Sequence, residues 1–210
     1  RAVRKWRHRR RAAGRWQLPA SVAVALYRHY GPDTVDMLRH DPYLLCGYPA
    51  YQDFRAADAI AGQLGLEYDS FERVRAGLVH VLRHNLNNGH ACLPAAKLVP
   101  TVAQFLHVEP QQVESALRQM CDDGDAVLFG EEEDAAVYLP EYYDAERCVA
   151  LALRETMCLP PHGGKSAAAA IRRLEAVNGI RYAPLQKQAI EKALSENALV
   201  LTGGPGTGKT

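Results

Sequence analysis

The chain has 210 residues, 48% hydrophobic and 23% charged, with a formal net charge of +1. That balance is ordinary for a globular protein of one or two domains with a real core. No apolar run approaches the ~20 residues that cross a bilayer, and no apolar stretch follows the basic N-terminus, which excludes a secretory signal and makes a cytoplasmic address the expectation, with no membrane partner.

The charge is unevenly spread. Residues 1–16 hold Arg1, Arg4, Lys5, Arg7, Arg9, Arg10, Arg11 and Arg15 and no acid. The rest of the chain is therefore net acidic. Residues 1–17 read as a basic leader, expected to be disordered, whose cations can neutralise phosphates and release counterions. Five cysteines lie at positions 46, 92, 121, 148 and 158. Their wide spacing lacks a Cys-x-x-Cys pair, so they read as reduced, mostly buried thiols rather than a zinc or redox motif.

Short helices interrupted by abrupt turns are expected from Leu18 to Leu66. The first spans residues 19–30 and stops at Gly31-Pro32. A second spans residues 34–38 before Asp41-Pro42. A third spans residues 54–64, with Ala57, Ile60, Ala61 and Leu64 on one face and Gly65 closing it. Ser70 is placed to cap a helix through Asn87, where Phe71, Val74, Leu78, Leu82 and Leu86 recur at helical spacing. Helices over residues 95–105 and 111–121 follow, the latter burying Val113, Ala116, Leu117, Met120 and Cys121. Two extended runs, 126–129 and 136–139, flank an acidic tip of Glu131, Glu132, Glu133 and Asp134. Three helices and then a hairpin is the order of a winged-helix module. Four acids at its tip disfavour contact with phosphate.

Residues 142–158 read as a helix, and residues 160–164 as a linker. Further helices are expected over 165–177 and 183–194, the second with Pro184 in its first turn. Residues 198–202 read as a buried strand entering a glycine-rich loop.

That loop, Gly203-Gly204-Pro205-Gly206-Thr207-Gly208-Lys209-Thr210, matches G-x-x-x-x-G-K-[ST] in full. Glycines let backbone N–H groups turn inward around phosphate oxygens. Lys209 supplies a charge for the β- and γ-phosphates, and Thr210 a hydroxyl for Mg²⁺. ATP and Mg²⁺ are the expected ligands. Gln186, read alone, is an ordinary exposed helical glutamine.

The run Leu185-Gln186-Lys187-Gln188-Ala189-Ile190, followed by Leu201-Thr202 and the glycine-rich loop, is similar to the opening of the first motor domain in RecD-like helicases of superfamily one. Upstream, Tyr30-Gly31, Asp41-Pro42-Tyr43-Leu44-Leu45, the helix at Phe54 with Ala57-Asp58-Ala59-Ile60-Ala61, Arg75-Ala76-Gly77-Leu78, Gly89-His90, Leu93-Pro94 and Tyr138-Leu139-Pro140 resemble the same family. The likeness covers residues 18–210. It implies an ATP-dependent DNA helicase of DNA repair and recombination, moving 5′→3′ on single-stranded or forked DNA, and it implies that Gln186 reads the adenine. It also implies a glycine-rich turn before Arg55. This chain instead has Tyr51-Gln52-Asp53-Phe54, which removes the close glycine backbone and sets Asp53 against phosphate.

The expected fold is therefore mainly α. A helix-hairpin-helix region occupies 18–68, a winged-helix-like module 69–140, a helical linker 141–177, and the start of a RecA-like α/β motor 178–210. Lys209 and Thr210 are the candidate catalytic pair, with Thr210 as the metal ligand. The cofactor-binding set is Gln186, Gly203, Gly204, Pro205, Gly206, Thr207, Gly208, Lys209 and Thr210. Arg73, Arg75 and Arg83, on a partly basic helix with His84, are candidate DNA contacts. The sequence reads as an N-terminal fragment that holds nucleotide without hydrolysing it. Two rivals remain open: another P-loop ATPase of DNA metabolism, and an accessory module that docks a protein.

Overall fold

The computed structural model describes residues 16, 18–131, 135–160, 167–206 and 208. The basic leader up to Arg15, three of the four acids of the expected hairpin tip, and Thr207, Lys209 and Thr210 lie outside the described residues. The chain divides into two compact units, residues 1–143 and 144–210.

The first unit is helical with one small sheet. Helix α1 (Ala20–Tyr30) ends at Gly31, and a 3-10 turn over Gly31–Asp33 leads into α2 (Thr34–His40). Thr34 is buried there, its hydroxyl donating to the Gly31 carbonyl at 2.6 Å. A second 3-10 turn, Pro42–Cys46, is started by the Asp41 carboxylate, which accepts from the Tyr43 N–H at 2.9 Å. Helix α3 (Phe54–Leu64) is capped by Asp53 and buries Phe54, Ala57, Ile60 and Ala61. Helix α4 (Phe71–Leu86) is capped by Ser70, as its sequence predicts, and buries Val74, Leu78, Val81 and Leu82.

Strand β1 (Cys92–Pro94) then precedes α5 (Ala95–Leu106) and α6 (Pro110–Asp123), and β2 (Val127–Phe129) and β3 (Ala136–Tyr138) close the unit. The sheet is antiparallel in the order β1-β3-β2, with Leu93 and Leu128 both opposite Val137. The helices and the hairpin are those expected from the sequence. Strand β1 is an addition, because three residues ending in proline carry no readable alternation.

Helix α4 packs against both α5 and α6 and forms the spine of the core. Leu78, Leu98, Leu106, Val113, Met120 and Val137 around it are almost wholly buried. Gly77 sits at the α4–α5 contact, where an added Cβ would lie 2.6 Å from Leu106 Cδ1. A glycine in mid-helix costs about 1 kcal/mol relative to alanine; here it permits the close approach of the two helices.

Helix α7 (Pro140–Cys158) begins in the first unit and continues into the second. The second unit adds α8 (Ala168–Asn178) and α9 (Pro184–Ser195), with Ala167 and Ile171 buried. Glu175 joins the two helices, accepting from the Tyr182 N–H and from Lys187 Nζ, both at 2.8 Å.

Two expectations need correction. Residues 198–202 are neither strand nor helix, and Val200 is 86% exposed. A buried parallel strand takes its hydrogen bonds from neighbouring strands, and the described residues of the second unit supply none. The cysteines are free thiols but not mostly buried: Cys46, Cys92 and Cys121 are half-buried, and Cys148 and Cys158 are exposed. Burial pushes the Cys46 thiol up to about 11, which leaves it protonated and unreactive near neutrality.

Candidate functional site

The glycine-rich loop follows α9 after a short irregular stretch. Gly206 and Gly208 have φ of +76° and +72°, a left-handed conformation that residues with a Cβ rarely adopt. Such turns allow consecutive N–H groups to face one anion. Gln186, in the first turn of α9, binds the loop directly. Its Nε2 donates to the Gly208 carbonyl at 3.0 Å, and its Oε1 accepts from the Ala183 N–H at 2.8 Å. A Cβ added to Gly208 would fall 2.5 Å from Gln186 Nε2. Two of the expected cofactor residues, about twenty positions apart in sequence, are thus brought together. Gly203, Gly204 and Pro205 lead into the same loop, all exposed.

The three candidate DNA-binding arginines separate sharply. Arg73 is only 6% exposed and spends its guanidinium inside the protein. Its Nε and Nη2 hold both oxygens of Asp58, at 2.8 and 3.2 Å. Its Nη1 donates to the carbonyls of Tyr68 and Leu106, and its plane covers the Tyr68 ring at 4.0 Å. The Tyr43 hydroxyl completes the cluster by donating to Asp58 at 2.6 Å. Burial alone would raise the Asp58 carboxyl, but hydrogen bonds from Arg73 and Tyr43 and the guanidinium charge outweigh it, and the group lies below its usual range. Arg73 is here a structural cation neutralised by a partner fifteen residues away.

Arg75 is also engaged, bridging Asp41 at 3.0 Å and Asp125 at 3.4 Å. Burial raises the Asp41 carboxyl in spite of that guanidinium. Such a doubly paired arginine has little charge left for a phosphate. Arg83 differs. It is half-buried, and its Nη1 donates to a backbone carbonyl, that of Cys46, at 3.0 Å. His84 and His90 are exposed.

A group of side chains that helical periodicity does not single out lies beside Arg83. His29 packs edge-on against Tyr30 and Tyr48, with ring centroids 4.5 and 5.1 Å apart, and Tyr48 meets Tyr51 at 6.2 Å. Tyr48 and Tyr51 are 64% and 65% exposed. The available signal was the density of aromatics in Gly47-Tyr48-Pro49-Ala50-Tyr51, a turn with no apolar face to fill. Asp53, expected to repel phosphate, caps α3 by accepting from the Arg55 N–H at 3.4 Å.

Residues 11–92 match the family model described as the ATP-dependent RecD2 DNA helicase HHH domain. Over 203 residues, 92% of this chain, the sequence is 28% identical to the ATP-dependent RecD2 DNA helicase of Deinococcus radiodurans. The chain spans 28% of the length of that relative.

Proposed function

We propose that this chain is part of a RecD-like helicase, that its loop at residues 203–210 binds the triphosphate of ATP and that its helical unit serves a DNA-unwinding motor. The observation that carries this reading is the Gln186–Gly208 hydrogen bond. It ties a helix start to a left-handed glycine of a complete phosphate-loop motif. The residues fit the ligand. Gly206 and Gly208 already hold the φ such a cradle needs, and Lys209 and Thr210 follow in sequence to meet the β- and γ-phosphates and the metal. Bound Mg²⁺ would neutralise charge on the phosphate oxygens.

Gln186 would also set the choice of base. Its two contacts leave one Nε2 proton and one Oε1 lone pair free, since an amide offers two donors and several acceptor sites. That remaining pair matches the N6 amino and N7 acceptor edge of adenine. Replacing Gln186 by Ala should therefore narrow the difference in affinity between ATP and GTP, with the triphosphate still held. A discrimination left unchanged would remove Gln186 from this role.

The DNA substrate is single-stranded or forked, and movement is 5′→3′, as the family implies. Of the three candidate arginines, Arg83 is the one held by a backbone carbonyl rather than by a carboxylate, and it is the one proposed to meet that strand. A second reading, in which residues 18–140 dock a protein, draws on the internal neutralisation of Arg73 and Arg75. Salt-dependent binding of a labelled single strand by the 210-residue chain separates the two.

A further inference from the structure

The loop between the Pro42–Cys46 turn and α3 holds a tyrosine in a conformation that suits glycine. Tyr51 has φ of +45°, a rare region for a bulky residue. The backbone is fixed there by short bonds: Tyr51 N–H to the Gly47 carbonyl at 2.8 Å and Gln52 N–H to the Leu45 carbonyl at 2.7 Å. Gln52 Nε2 adds a bond to the Ala50 carbonyl at 2.8 Å. The outcome is a rigid turn that carries two mostly exposed phenol rings. Neither ring is needed to fill the core, and strained residues of this kind concentrate at binding sites.

The rings are not stacked on one another. Both contacts are edge-to-face, at 87° for His29–Tyr48 and 74° for Tyr48–Tyr51, so Tyr51 keeps at least one ring face that Tyr48 does not cover. A groove of about 350 Å³ adjoins Tyr48, with Tyr30, Gly47 and Arg83 also in its lining. The same lining holds Asp125 and Glu141, and Arg75, which is already paired with Asp41 and Asp125. Arg28 adds an exposed cation on α1 next to His29. Exposed aromatic rings on a stiff turn with arginines nearby suit a ligand that alternates flat rings with negative charges.

We propose that Tyr48, Tyr51 and His29 form a stacking platform for the bases of single-stranded DNA, with Arg83 beside it for the backbone phosphate. The proposal rests on the reading of the chain as part of a DNA motor. Stacking is tolerant of sequence because every base has a π face, so the platform grips strand rather than site.

The test is fluorescence anisotropy of a labelled oligothymidine titrated with the 210-residue chain, across a salt series. Variants are Tyr48→Ala with Tyr51→Gly, Tyr48→Phe with Tyr51→Phe, and Arg83→Ala. Glycine suits the backbone at position 51, so the first pair should keep its thermal midpoint while affinity falls at least about tenfold. The phenylalanine pair should restore binding, because it retains the ring faces. The tyrosine variants should leave the salt slope unchanged, and Arg83→Ala should reduce it by about one. Equal binding by wild type and the alanine-glycine pair would overturn the platform, leave the motor reading standing and assign the rings to a protein partner. No binding of the strand by the wild-type chain would also overturn it, and the motor reading would then be judged on nucleotide binding alone.

Discussion

Arg73 and Asp58 form a two-pronged ion pair, at 2.8 and 3.2 Å, that joins α4 to α3 within the helical unit. The guanidinium also takes the carbonyls at the ends of two other segments, Tyr68 and Leu106. Removing it would strand a partly buried carboxylate and two acceptors together. Arg73→Ala should therefore destabilise the unit by about 2–3 kcal/mol, less than a fully buried pair because Asp58 is about a third exposed. Its affinity for single-stranded DNA should be unchanged once the protein is folded. Urea unfolding paired with DNA titration measures both, and a stable variant with weakened DNA binding would restore Arg73 as a contact.

Acid sensitivity follows from the same cluster and from a neighbouring ring. The Asp58 carboxyl lies below its ordinary 3.8 in the folded state. Its contribution is complete above that value and is lost as pH falls through the folded pKa. His80 stacks on Phe105 at 5.2 Å, with Phe54 at 5.7 Å. Burial holds it below its ordinary 6.5; Asp53 opposes that, while His84 and Arg55 reinforce it. The folded state thus prefers neutral imidazole, and stability present above pH 6.5 declines as pH falls through the folded value. Urea midpoints should drop between pH 7.5 and pH 5, and His80→Phe should flatten that decline. An equal decline in the variant would place the sensitive group elsewhere.

Gly77 marks a close contact between α4 and α5. Its missing Cβ would lie 2.6 Å from Leu106 Cδ1 and 3.1 Å from Cγ and Cδ2. Leu106 is fully buried. Gly77→Leu should cost about 1–3 kcal/mol or more through overpacking, against any gain in helix propensity. Thermal melting checks the sign: a variant as stable as wild type would show that α4 and α5 can part freely.

The helical layout is legible in the sequence where punctuation is local. Gly31 and Gly65 end helices and Ser70 begins one, as expected, and Gly124 and Asp53 act in the same way. Legibility fails where the decisive partner is distant. Arg73 and Arg75 look like neighbouring free cations until Asp58, Asp41 and Asp125 are folded against them. Residues 198–202 have the composition of a buried strand but no neighbouring strand among the described residues of their unit, so composition alone leaves them irregular. Tyr48 and Tyr51 belong to no periodic face, and their exposure emerges only from the turn that holds them.

Gly208 tests the loop without touching a charge. Its φ of +72° and the nearby Gln186 amide both oppose a side chain. Gly208→Ala should weaken ATP binding at least about tenfold, from combined strain and displacement of Gln186. The helical unit's melting transition should be unaffected. Calorimetric titration beside a thermal melt measures both, and full ATP affinity in the variant would show that the Gln186–Gly208 contact does not shape the site.

The most direct measurement is isothermal titration of ATP with Mg²⁺ into the 210-residue chain and its Lys209→Ala variant. The account predicts saturable binding at one site by the wild-type chain, weakened by Mg²⁺ removal and abolished in the variant. Equal binding by both chains would contradict it, as would no binding by the wild-type chain.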